Sequence, residues 1–326
     1  MSKKFSIWLL ATILLTTVSF AEAQQPGKIS RLGILLPVSP STAARNLEAF
    51  QQRLRELGYV EGKNIFIEYR YAEGRIDTLP DLAAEVVRLK VDVIVTSSRV
   101  AIEAAKNASK TIPIVFAAAA DPLEDGLVSS LARPGGNVTG LTLLAPELNG
   151  KRLELLKEAF PKVTRVAFLR RAGSSGDRRF KETVAVAKAL GLRLQSVGAK
   201  DAEDFKRAFE AAKSGGAQAL TMSPSPFLTT HRARIIDLAA KNRLPAMLVS
   251  SEWVDAGGLM SYAPDILDNW RRAAVYVDKI LKGRTPADLP VEQPMKFEFI
   301  VNLKTAKQIG VTIPPNLLVR ANKVIR

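Results

Sequence analysis

Apolar residues come along this chain in short unbroken runs, and the intervals between the runs carry a helical rhythm. Residues 32–36 form the first run. After it, Leu47, Phe50, Leu54 and Leu57 recur at helical spacing and predict a helix over 43–57. Gly58 stops it, since glycine tolerates the left-handed turn at a helix end. Runs at 65–69, 92–96, 114–116 and 138–143 predict further strands, with helices at 79–89, 100–108 and 123–131. Pro80 and Asp81 suit the first turn of the 79–89 helix. The strands lack the alternation of a sheet with one wet face, and so suit a parallel sheet covered by helices on both sides.

A second series follows, opened by a helix at 148–159. Strands are expected at 166–169, 192–197, 219–222 and 246–249, with helices at 177–190, 202–213 and 229–241. The two series repeat each other. Arg31-Leu32-Gly33-Ile34 answers to Arg165-Val166-Ala167-Phe168, Leu57-Gly58 to Leu190-Gly191, and Ile112-Pro113-Ile114-Val115 to Leu244-Pro245-Ala246-Met247. The offset is about 130 residues, a whole domain rather than a solenoid unit. Two similar lobes imply a cleft, a favoured place for a small-molecule site. A strand at 257–262, a helix at 266–281 closed by Lys282-Gly283, a proline-rich stretch, a strand at 297–301 and a short helix at 303–309 belong wholly to neither repeat. This tail is expected to cross between the lobes. The expected division is 30–144 with 263–284 for the first lobe, and 145–262 with 285–326 for the second.

The first residues bear on location. Lys3 and Lys4 precede an apolar stretch to Phe20, and Ala21-Glu22-Ala23 fits a small-x-small cleavage site, so residues 1–23 read as a secretory signal peptide. The apolar part is short for a membrane span. Removing it leaves 45 basic against 31 acidic residues, a net charge of +14. The basic residues are scattered in pairs such as Arg170-Arg171, Arg178-Arg179 and Arg271-Arg272, without interleaved aromatics, which argues against a nucleic-acid partner. The chain has no cysteine, hence no disulfide, thiolate metal site or cysteine nucleophile.

In open parallel sheets, ligands sit beyond the carboxyl ends of the strands. Strand one leads to Ser39, Ser41 and Thr42, strand three to Ser97 and Ser98, and strand four to Ala118 and Asp121. In the second lobe the ends lead to Arg170, Arg171 and Ser174, then to Ser223, then to Ser250. Hydroxyls before a helix N-terminus make a site for a carboxylate, because free N–H groups and the helix dipole both favour negative charge. Taken singly, Ser41, Ser97 and Ser98 read more readily as helix caps; their placement at one rim favours binding for the group. Asp121 either caps the turn through Asp121-Pro122 or faces an ammonium group. Arg170 and Arg171 are either a solvated pair or hold a carboxylate through parallel hydrogen bonds.

Catalytic apparatus is sparse. His231 is the sole histidine and offers no metal site. Gly173-Ser174-Ser175-Gly176 lacks the spacing of a nucleophile elbow, and no phosphate loop or dinucleotide fingerprint occurs. Glu252 and Asp255 read as solvated surface. Binding without reaction is the expected class, with no cofactor.

Other residues carry a resemblance. Asp121-Pro122, Gly126-Leu127-Val128, Leu131-Ala132-Arg133-Pro134-Gly135-Gly136-Asn137-Val138-Thr139-Gly140, Ala256-Gly257-Gly258-Leu259-Met260-Ser261-Tyr262 and Arg271-Arg272-Ala273-Ala274-Val275-Tyr276 resemble the bacterial ABC-transporter substrate-binding family of the tryptophan/tyrosine-binding type. Asn302-Leu303-Lys304-Thr305-Ala306-Lys307 near the end fits too, so the likeness spans the chain beyond the leader. It implies an α/β, type I periplasmic-binding-protein fold: two Rossmann-like lobes with parallel sheets, joined by a hinge of three crossings. It also implies a periplasmic receptor that clamps an amino acid or small carboxylate and delivers it to the membrane permease of an ABC importer. A sensing partner of a membrane signalling protein, or an exported two-domain hydrolase or isomerase, are the alternatives. By similarity, Ser97, Ser98 and Asp121 are placed to hold carboxylate and ammonium groups. Tyr262 follows the family, while Ala263 replaces its usual Gly. Arg170-Arg171-Ala172-Gly173 replaces its usual Asn-Pro-type turn, which favours a ligand with a second negative group.

Overall fold

The computed structural model describes residues 29–143, 145–173 and 175–326. The expected leader at 1–23 and Ser174 lie outside the described residues. The first lobe runs β1 (Ser30–Leu36), α1 (Pro40–Glu56), β2 (Ile65–Tyr71), α2 (Leu79–Arg88), β3 (Val93–Thr96), α3 (Arg99–Ala108), β4 (Ile114–Ala119) and β5 (Val138–Thr142). Its sheet has the order β2-β1-β3-β4-β5, with every pair parallel. Leu32, Ile34 and Leu36 point to one face, where they bury Leu47, Phe50 and Leu54 of α1. Leu35 and Ile94 point to the other, against α2 and α3. The continuous burial of β1, β3 and β5, whose residues alternate between two covered faces, and the near-fourfold period on α1 are the packed form of the sequence pattern.

The helix expected at 123–131 is absent. Residues 121–127 form turns instead, with Asp125 N–H donating to the Asp121 carbonyl and Leu127 N–H to that of Pro122. Gly126 there has φ +67°, which ends any helical continuation.

The second lobe runs α4 (Ala145–Ala159), β6 (Arg165–Arg171), α5 (Ser175–Ala189), β7 (Arg193–Ala199), α6 (Asp204–Ser214), β8 (Ala219–Met222), α7 (Pro226–Thr230), α8 (Arg232–Lys241), β9 (Ala246–Leu248), α9 (Ser251–Asp255) and β10 (Met260–Pro264). The chain then returns to the first lobe as α10 (Ile266–Leu281). This helix lies on α1 and buries Trp270, Ala273, Tyr276 and Val277 in the first core, with Trp270 edge-on to Phe50 at 6.1 Å. Residues 285–292, expected in the second lobe, also belong here. Leu289 and Val291 are buried on the two faces of the first sheet, and Glu292 exchanges backbone hydrogen bonds with Gly140 and Thr142. Their physical role is to cover the otherwise open edge of β5.

The last crossing delivers β11 (Phe297–Asn302), α11 (Leu303–Ile309), α12 (Pro315–Arg320) and β12 (Lys323–Ile325) to the second lobe. Its sheet has the order β12-β11-β10-β9-β8-β6-β7. Pairing is parallel except between β10 and β11, which the tail adds antiparallel. Among the described residues, no helix is long and apolar enough to cross a membrane.

Candidate functional site

Each sheet has one place where the chain reverses its direction of growth. In the first lobe β1 lies between β2 and β3, and in the second β6 lies between β7 and β8. The loops leaving such a pair of strands part in opposite directions and open a crevice at the carboxyl ends. Here the two crevices face each other. Pro37 and Val38 after β1 and Ser97 and Ser98 after β3 line one side, while Arg171 to Gly173 after β6 and Pro224 to Pro226 after β8 line the other. The cleft between them holds about 490 Å³. Its exposed wall is more apolar than polar, with Leu36, Ile76, Ile266 and Trp270 among the lining residues, and hydroxyls, arginines and Glu252 are set into it. That composition suits a small organic ligand fixed by a few convergent contacts.

Ser98 is the most unusual of those polar groups. It precedes α3 with φ +68°, outside the region that L-residues ordinarily occupy. Its N–H donates to the Ala118 carbonyl at 2.8 Å, its hydroxyl makes no cap for α3, and Oγ is buried without a partner. Ser39 is the opposite case: its Oγ accepts from Thr42 N–H at 3.3 Å and so caps α1. Ser41 bonds the Ser39 hydroxyl at 3.1 Å on the exposed face, and neither serine lines the cleft. Thr42, Ser97 and Ala118 do line it.

Asp121 turns its Oδ1 to the N–H of Glu124 at 3.1 Å, the capping alternative, and does not line the cleft. Arg170 is likewise committed elsewhere. Its Nε donates to Ser196 Oγ at 2.7 Å and its guanidinium pairs with Asp177. Successive strand residues point to opposite faces, so it is Arg171 that reaches the cleft, its guanidinium lying over the Phe227 ring. Ser223 is buried with its N–H on the Leu169 carbonyl, and its neighbours Pro224 and Ser225 take the lining positions. Ser250 borders a smaller recess of about 150 Å³ that shares Asn46, Glu252 and Ile266 with the main cleft. Tyr262 lies away from the cleft, stacked on Phe297, with its carbonyl accepting from Arg152 Nε.

Four further residues line the cleft without having been expected to bind there, and Glu252 among them is not the solvated surface residue the sequence suggested. Glu252 is half-buried on α9, and burial pushes its carboxyl above the usual range although Arg232, Asn46 and Arg45 oppose the shift. Asn46 on α1 hydrogen-bonds Glu252 and leaves its Oδ1 buried without a partner. Arg99 is engaged by Glu103 at 2.8 Å. Arg179 on α5 is 3 % exposed; burial lowers its pKa against the opposing charge of Asp125. Arg152 borders the recess fully buried and held by carbonyls, and burial pushes it down to about 10.

Contacts across the cleft join the lobes on both flanks. Asp125 in the turn after β4 accepts from Arg178 of α5 at 2.9 Å, and Arg45 of α1 pairs with Asp255 of α9 at 2.8 Å. Among the described residues, no group of three or more His, Asp or Glu side chains is arranged to hold a metal ion. His231 packs edge-on against Phe205 and Phe227, and burial holds it below its ordinary pKa with help from Arg234.

Comparison with known proteins agrees with this architecture. The profile of the family described as ABC transporter substrate binding protein matches residues 31–325. A tyrosine-binding protein of Clostridioides difficile is 26 % identical over 286 residues, 87 % of this chain and 82 % of that protein. A conserved domain protein of Vibrio cholerae is 28 % identical with a TM-score of 0.85, over 91 % of this chain and all of that one. A domain from Streptococcus pneumoniae solved in complex with L-Trp is 25 % identical with a TM-score of 0.82, over 90 % of this chain and all of that one. The chain belongs to the ABC transporter substrate-binding protein family.

Proposed function

We propose that this member of the ABC transporter substrate-binding family is the exported receptor of an importer, and that it clamps an amino acid with an apolar or aromatic side chain between its lobes. The observation that carries the reading is the pair of facing crevices with the unpartnered Ser98 hydroxyl between them. A carboxylate there meets Ser97, Ser98 and the first N–H groups of α3. The ammonium group meets Asn46 Oδ1 and Glu252, and its charge offsets the burial that raises the Glu252 pKa. Trp270, Ile266 and Ile76 offer apolar wall to the side chain. The relatives that bind tyrosine and L-Trp support this class of ligand. The leader at 1–23, cleaved near Ala23, takes the protein to the periplasm. Ligand touching both lobes stabilises the closed form, which docks on the membrane permease, and a separate ATPase supplies the energy.

A thermal-shift screen of amino acids, small carboxylates and nucleobases tests the reading. A ligand at about 100 times its dissociation constant adds about 2.7 kcal/mol to stability, a shift easily seen in the melting temperature. A flat response to every amino acid in the screen counts against the proposal.

A further inference from the structure

Among the described residues, three that line the cleft carry buried polar atoms without partners: Asn46 and Ser98 of the first lobe and Arg179 of the second. Asn46 Oδ1 and Ser98 Oγ are single atoms, whereas the guanidinium of Arg179 has two, its Nε and Nη1 both buried without a hydrogen bond. The surrounding arginines are differently placed. Arg170 is taken by Ser196 and Asp177, Arg99 by Glu103, and Arg178 by Asp125 and Glu182. Among the described residues, Arg179 has only Asp125, whose Oδ2 stands 3.8 Å from its Nη2, beyond hydrogen-bond reach. Asp125 also fixes where Arg179 lies. The same carboxylate is 3.9 Å from Nε of Arg99, the first residue of α3 and the neighbour of Ser98. Arg179 and the Arg99 side chain thus flank one carboxylate, and Arg179 lines the same cleft as Ser98 from the other lobe.

A guanidinium stripped of water and left with unused donors is costly to keep, and the cost is relieved by an anion that accepts from it. Carboxylate is the acceptor that fits, because charge-assisted bonds to guanidinium are short and strong.

We propose that Arg179 is the second lobe's carboxylate-binding residue, gripping across the cleft the same ligand carboxylate that Ser98 and the first turn of α3 hold from the first lobe. The inference rests on the receptor reading above and adds to it a specificity rule. The receptor takes carboxylic acids and rejects the matching amides, since an amide presents an NH₂ donor to a group that has only donors. Closure then depends on the ligand's charge, because the acid alone links the lobes at that point.

The test uses acids paired with their primary amides: L-tryptophan, L-tyrosine, L-leucine and phenylacetate. Calorimetry on the wild-type chain should show acids binding at least tenfold more tightly than amides. Arg179→Met should weaken the tightest acid by about tenfold or more, while the melting temperature of the empty protein stays level or rises as a buried unpaired charge is removed. Arg179→Gln, which keeps a polar side chain at the position, is the second variant should Arg179→Met fold poorly, and the same loss of acid binding is expected. Acid affinity within about twofold of wild type in a folded Arg179 variant overturns the cross-cleft grip. So does an amide that binds as well as its acid. Ser98→Ala separates the two levels of failure. Weakened acid binding there with none at Arg179 leaves the receptor reading standing alone, whereas no acid bound by the wild type overturns both.

Discussion

The two lobes present one architecture to the cleft and two different chemistries. Each offers a crevice where its central strand, β1 or β6, is flanked by loops that diverge. On the first lobe that crevice carries small and hydroxyl-bearing residues, Thr42, Ser97, Ser98, Ala118 and Ala120, with Asn46 beside them and Arg99 turned to Glu103. On the second, two arginines and two prolines, Arg171, Arg179, Pro224 and Pro226, stand beside Ser225, Thr229 and Glu252. The first lobe supplies short orienting groups close to a helix N-terminus, and the second adds Arg171 and Arg179 to its own hydroxyls. A duplicated frame is thus compatible with unlike rims, because strand packing constrains the buried positions and leaves the residues past the strand ends free to differ.

The comparison can be broken most forcefully in the frames. Gly140 of β5 has φ +152°, and a Cβ there would lie 2.0 Å from the Phe116 carbonyl oxygen, which is backbone and cannot yield. Gly140→Ala should cost about 3 kcal/mol or more, read as a large fall in the urea midpoint. Gly198 of β7 is the contrasting site in the second sheet. A Cβ would meet the Ala172 methyl at 3.2 Å, and Gly198→Ala should cost about 1 kcal/mol or less.

The rims come next. Ser98→Ala removes an unpartnered hydroxyl and should weaken ligand binding by about 1.5–3 kcal/mol in calorimetry, with little change in the empty protein's melting temperature. Ser39→Ala should behave in reverse, losing about 1 kcal/mol of stability with its cap and leaving affinity unchanged. Should the two serines respond alike, the distinction between orienting and capping hydroxyls fails.

The smallest effect concerns the flank. Burial pushes the Asp255 carboxyl up, but hydrogen bonds from Lys323 and Arg45 outweigh it and hold the group below its ordinary value. A depressed acid stabilises the folded form above the usual carboxylate range of about 4 and loses that contribution as pH falls through its own value. Since Arg45 comes from the first lobe and is mostly exposed, the share it contributes is at most about 1 kcal/mol and is screened by salt. Asp255→Asn should lower the urea midpoint slightly at pH 7, and the difference from wild type should shrink as pH falls below about 4.

The strands are legible in the sequence because each is an apolar run bounded by polar or glycine residues, and the ends of those runs place the rims on both lobes. The β4–β5 connection is not, since the apolar residues at 123–131 mimic a helix while Gly126 takes a left-handed turn. Leu289 and Val291 alternate in a proline-rich stretch, a pattern that marks an extended segment without naming the sheet it joins. Arg170 and Arg171 are adjacent, so the sequence offers the pair, and only strand direction decides which enters the cleft. Arg179 has a readable signal in hindsight. It shares one face of α5 with Thr183 and Ala187, all three nearly inaccessible, and an arginine on the inner stripe of a helix calls for an acceptor.

The chain passes between the lobes three times, after β5, after β10 and before β11. A fragment ending after β5 would lack α10 and residues 285–292, and with them Trp270, Tyr276, Val277 and Leu289 from its core. Neither half can therefore be exchanged with that of a relative by a single splice. Grafting a new second lobe onto this first one requires three matched joints, so changes of ligand preference should accumulate through substitutions at the rims rather than by shuffling of halves.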